Sequence, residues 1–161
     1  MEILKVQEII GQQPITRVPR TPAFIRGVIN LRGKVIPIMD LRARFGMPSA
    51  ETALAGASAA EVAAAEAIRC IIVVQVVGPT GAAVPVGIVV DRVSEVAHIP
   101  EADIADAPSF GAGVRTEYLL GLGTTRTADG QGRVRLLLDI DRVLAATELD
   151  ALMQAETPDA A

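Results

Sequence analysis

The sequence predicts a mainly β fold of barrel type, and three observations predict it. Short runs of Val, Ile and Leu recur along the 161 residues, and β-branched side chains suit the pleated surface of a strand. Connections carrying glycine or proline punctuate these runs. Aromatic residues are scarce, with no Trp, one Tyr and three Phe in a chain that is 50% hydrophobic. Aliphatic side chains must therefore build the core.

The elements follow in order. Ile3 to Ile10 reads as a strand that stops at Gly11. The connector from Gln12 to Pro22 holds Pro14, Pro19 and Pro22. Its prolines remove donors and fix φ, so it should run extended against a barrel wall. Phe24–Leu31 and Val35–Leu41 read as two strands joined at Arg32-Gly33-Lys34 by a hairpin turn. Pro37 lies inside the second of these, which predicts an edge strand or a bulge at that point. Leu41–Gly46 suits one helical turn with a glycine at its C-terminal end.

An Ala-rich insertion at residues 48–67 has intrinsic helix propensity but almost no large apolar anchor. It is expected to be mobile and helical in part. Cys70–Val77 and Val84–Val90 are nearly continuous apolar runs, as expected of strands buried on both faces. Val93–Ile99 alternates loosely, and Tyr118–Leu122 and Val134–Ile140 supply two further strands around a polar loop at 124–132. A terminal helix begins near Asp139 or Asp141, either of which can cap it, and carries Val143, Leu144, Leu149, Leu152 and Met153 at helical spacing.

Composition excludes several functions. The formal net charge is −4, from 15 basic and 19 acidic residues spread along the chain, and no basic stretch interleaved with aromatics offers a nucleic-acid groove. No apolar run reaches the ~20 residues of a membrane span, and the first residues lack the features of a secretory signal. A cytoplasmic protein is expected, without cofactor or metal. Cys70 is the lone cysteine and reads as a small core hydrophobe. His98, the lone histidine, has no second ligand nearby for zinc and no nucleophile for a triad. Asp139 and Asp141 suit a helix N-terminus better than paired acid–base work. Gly121-Leu122-Gly123-Thr124 lacks the lysine and helix of a phosphate loop. Nothing assembles an active site.

The informative segment is Gly27-Val28-Ile29-Asn30-Leu31-Arg32-Gly33, followed by Pro37-Ile38-Met39-Asp40-Leu41-Arg42. Asn30, Arg32, Asp40 and Arg42 interrupt apolar strands beside a hairpin, where each needs a partner or solvent. With Thr21–Arg26 ahead of it, this segment resembles the CheW family, and so do three others: Ile3–Ile9, Gly87–Val96 and Thr116–Gly123. Their order and spacing carry the resemblance nearly end to end. It implies two SH3-like five-stranded β-barrel subdomains with a C-terminal helix, in one domain over residues 1–154 followed by a disordered tail at 155–161. The first barrel is expected to lack N-terminal strands usual in the family. The resemblance also implies an adaptor without catalysis, bound to the tip of a methyl-accepting chemotaxis receptor and to the regulatory domain of the histidine kinase CheA.

By motif match, Val6, Glu8, Gly27, Asn30, Arg32, Ile71 and Val96 fall at receptor-contacting positions, with Glu8 and Arg32 able to pair. Gly87 and Val90 fall on the kinase-facing side. Plain core packing accounts as well for Val6, Ile71 and Val96 taken singly. An adaptor of a pilus-motility or biofilm array is an alternative reading, and a small β-barrel enzyme or ligand-binding regulator is a remote one.

Overall fold

The computed structural model describes residues 6–77, 81–106 and 118–144. They divide into two compact units, one drawn from residues up to Ser94 and one from Glu95–Leu144. Each unit is built on its own sheet, as the two-subdomain expectation requires.

The first unit holds β1 (Val6–Gly11), β2 (Ile25–Leu31), β3 (Lys34–Asp40), β4 (Cys70–Val77) and β5 (Ala83–Val90). They form one five-stranded sheet in the order β1-β4-β5-β3-β2. All its ladders are antiparallel except β3–β5, which is parallel. Among the described residues this sheet has five strands, as expected of each subdomain. Its core is aliphatic: Ile29, Ile36, Ile38, Ile71, Val73 and Val89 cluster together, with Ile10, Ile15 and Leu31 packed on them. The continuous apolar runs are explained by burial, since Val86–Val89 and Ile36–Asp40 are buried at every position.

Pro37 departs from expectation, because β3 lies inside the sheet and not at its edge. Pairing with β5 begins only at Ile38, opposite Gly87. Pro37 therefore precedes that ladder, where its missing N–H deprives no neighbour. The connector does run against the sheet, with Thr16 and Val28 exchanging both backbone hydrogen bonds at 2.9 Å.

Helical pieces fill the chain between β3 and β4. The turn α1 (Leu41–Arg44) starts at Asp40, whose side chain accepts from Arg42 N. It ends through Gly46, at φ +68°, whose N–H donates to the Ala43 carbonyl. The insertion forms α2 (Ala50–Ala53) and α3 (Ala59–Ile68). A capping box between Ser58 and Glu61 starts α3, while none of its residues is buried. Local capping and alanine propensity make this helix, and packing contributes little.

The second unit holds a short 3₁₀ turn at Glu101–Asp103 and then β6 (Ile104–Ala105), β7 (Leu119–Arg126) and β8 (Gly132–Leu138) in one sheet. The loosely alternating stretch Val93–Ile99 makes no ladder among the described residues, and Val96, in this unit, is exposed. The loop placed at 124–132 is shorter than expected. Thr124↔Val134 through Arg126↔Gly132 extend the hairpin, and Gly130 turns it at φ +80°. The polar side chains there are the exposed face of strands. Asp139 accepts from the N–H groups of Asp141 and Arg142 and so caps α4 (Ile140–Val143). The remainder of the expected terminal helix lies outside the described residues.

Candidate protein-interaction site

The site begins with the hairpin between β2 and β3. Arg32 and Gly33 take φ of +52° and +83°, the two left-handed residues of a type I′ turn, whose twist matches the flanking strands. The Asn30 side-chain oxygen accepts from Gly33 N at 2.9 Å and braces the turn. This holds the Arg32 side chain at the tip, 75% exposed.

Glu8 meets it from β1. The β1–β4 register shifts between Val6 and Glu8, a bulge that re-aims the side chain at that point. Both Glu8 carboxylate oxygens then accept from the Arg32 guanidinium, each at 2.8 Å. β1 and β2 are the outer strands of the five-stranded sheet. The fork-to-fork pair thus spans from one edge to the hairpin that ends the other, where unpaired backbone would otherwise lie open.

The remaining expected residues fall into different environments. Val6 and Val90 are half-buried and Asn30 is exposed. Ile71 is only 1% exposed and belongs to the core cluster. Gly87 is buried, and a Cβ on it would lie 2.4 Å from Ile38 Cδ1 and 2.9 Å from Ile71 Cγ2. The close approach that Gly27 allows is made by the chain itself. At φ +141°, a Cβ there would stand 2.0 Å from the Thr16 carbonyl oxygen. Val96, 69% exposed, lies in the second unit.

Several polar contacts were not legible in the sequence. Asp40, 7% exposed, both caps α1 and accepts from Arg26 Nε at 3.1 Å. Arg42 forks onto Asp91 at 2.8 and 2.6 Å. That hydrogen bond holds the Asp91 carboxyl below its usual range, against the opposing effect of burial. The two partners are 49 residues apart, so no local pattern announces them. In the second unit Arg135 bonds Glu95 and the Thr125 hydroxyl, and Leu120, Val134 and Leu136 are exposed. Burial pushes the Cys70 thiol up, as suits a packing residue. Among the described residues no cluster of His, Cys, Asp and Glu could hold a metal, and no helix is long and apolar enough to cross a membrane.

Comparison with known proteins agrees with this architecture. A chemotaxis protein CheW of Klebsiella aerogenes is 40% identical over 149 residues, covering 92% of this chain and 76% of that one. One from Rhizobium meliloti is 32% identical over 151 residues, covering 94% and 83%. The crystal structure of the scaffolding protein TtCheW from Thermoanaerobacter tengcongensis superposes with a TM-score of 0.66 at 30% identity. That match covers 91% of this chain and 80% of the other. The CheW-like domain matches residues 1–148, and with the braced Asn30–Gly33 hairpin and its Glu8 partner in place, the chain belongs to the CheW-like family.

Proposed function

We propose that this chain is a chemotaxis adaptor that couples methyl-accepting receptors to the regulatory domain of the kinase CheA, through geometry and without chemistry of its own. The observation that carries the reading is the Glu8–Arg32 fork at the braced hairpin. It presents a rigid, charged, accessible feature where two sheet edges meet. In this reading Asn30 and Arg32 touch the receptor directly, beside Glu8 and the half-buried Val6. Val96 supplies an exposed aliphatic contact from the second unit. Ile71 and Gly27 act from behind the surface, Ile71 as core floor and Gly27 by letting the connector lie against β2.

On the kinase side, Val90 is a contact and Gly87 sets the depth of packing beneath β5. Helix-in-groove recognition needs such aliphatic floors with a few polar anchors. Weak contacts suffice where an array multiplies them by avidity. In the cell the adaptor would sit in the cytoplasm and be recruited to the inner membrane face by its receptors.

A pull-down with the kinase regulatory domain and with a soluble receptor signalling domain tests the reading. The folded wild type should retain both, and Arg32→Glu should lose the receptor domain. Failure of the folded wild type to retain either would refute it.

A further inference from the structure

The first unit contains a buried cation that its neighbours leave without a hydrogen bond. Arg69 follows the last residue of α3 and is 8% exposed. A guanidinium has five N–H donors. The nearest carboxylate, on Glu51, stands 3.7 Å from Arg69 Nη1, and the same oxygen is 3.6 Å from Arg26 Nη2. Among the described residues no acceptor lies within hydrogen-bond distance of the Arg69 guanidinium. Asp91 feels its charge without pairing with it, and Arg26 is served by Asp40. Buried charges are normally paired and hydrogen-bonded, so a guanidinium with one long carboxylate contact and no hydrogen bond needs an explanation.

Arg69 also lines a cavity of 230 Å³. Ile71 and Val89, both buried, form an aliphatic part of its wall, and its polar part includes Arg26, Glu51 and Glu66. The planar fork matches a carboxylate, and the aliphatic wall suits the methylene stem that carries one. Two acidic side chains in the same wall disfavour a dianionic phosphate. We propose that this cavity is a carboxylate site, in which Glu51 from the Ala-rich insertion is the internal competitor that an incoming carboxylate displaces from Arg26 and Arg69. The carboxylate comes from a free small acid or from an acidic side chain of a protein partner. The second source rests on the adaptor reading above.

Thermal melts of the whole chain test the site with sodium propionate against sodium chloride at matched ionic strength. Propionate should raise the wild-type midpoint by about 2–4 °C. Glu51→Gln should enlarge that shift, because the arginines lose their resident anion. Arg69→Leu should abolish it while melting no lower than wild type in chloride, since the buried charge it removes makes no hydrogen bond and only a 3.7 Å contact with Glu51. Equal wild-type midpoints in the two salts, a shift that survives Arg69→Leu, or a lower chloride midpoint for Arg69→Leu would each overturn the proposal.

Partner binding separates the sources. Tighter retention of the receptor or kinase domain by Glu51→Gln, with at least a tenfold loss in Arg69→Leu, supports the site with a partner's acidic side chain as ligand. Unchanged retention with the propionate shift intact supports it with a free small acid. A wild type that retains neither domain overturns the adaptor reading and leaves the propionate result to stand alone.

Discussion

Glu8 and Arg32, 24 residues apart, meet through two hydrogen bonds of 2.8 Å across the outer strands of the five-stranded sheet. Arg32 is 75% exposed, so water screens the pair. Exposed pairs contribute about 0.2–1 kcal/mol, and Arg32→Ala should cost no more than that in urea unfolding. The same change should weaken receptor-domain binding at least tenfold, or about 1.4 kcal/mol. A binding loss that merely matched the stability loss would reduce the pair to a structural clip.

Gly27 and Gly87 should differ in how badly they tolerate alanine. At Gly27 the new Cβ would meet the Thr16 backbone at 2.0 Å, with φ at +141°. Neither the strand nor the connector can yield cheaply, and we expect a loss of about 3 kcal/mol or more. At Gly87 the clash is with side-chain ends of Ile38 and Ile71. Repacking should limit that cost to about 1–3 kcal/mol. Denaturant midpoints of the two single variants decide the order.

Asp40 is buried and serves two partners, the α1 N-terminus and Arg26. Asp40→Ala removes an N-cap worth about 1 kcal/mol and leaves Arg26 without its hydrogen-bonded acid. A total near 2–3 kcal/mol is expected by urea unfolding. Asp40→Asn should keep much of the cap and lose less.

Asp91 provides a pH signature. Arg42 lowers its folded pKa below the unfolded value of about 3.9. The unfolded chain therefore binds the proton first as pH falls. The stabilisation is fully present above the unfolded pKa and is lost as pH falls through the folded one. Asp91→Asn should flatten part of the decline in stability below about pH 4. Its effect at neutral pH should be small, because the carboxylate is half exposed. Identical acid profiles for variant and wild type would show that the pair does not persist in solution.

Local pattern already determined much of this protein. β-branched runs placed β1 through β5, the glycine at position 33 placed the hairpin, Gly46 ended α1 and Asp139 began α4. Each of these depends on neighbours within a few residues, where propensity and capping act. Tertiary structure decided what distance along the chain conceals. The β3–β5 ladder begins only after Pro37, which lets the proline sit in a strand inside the sheet. The same applies to the site. Arg32 was legible as a hairpin residue and Glu8 as its partner only through family resemblance, whereas the bulge that aims Glu8 comes from the β1–β4 register. Arg69 read as nothing in particular, because burial without a hydrogen-bonded partner is a property of the assembled first unit. Strand pairing brings residues together by register, and register depends on the whole sheet.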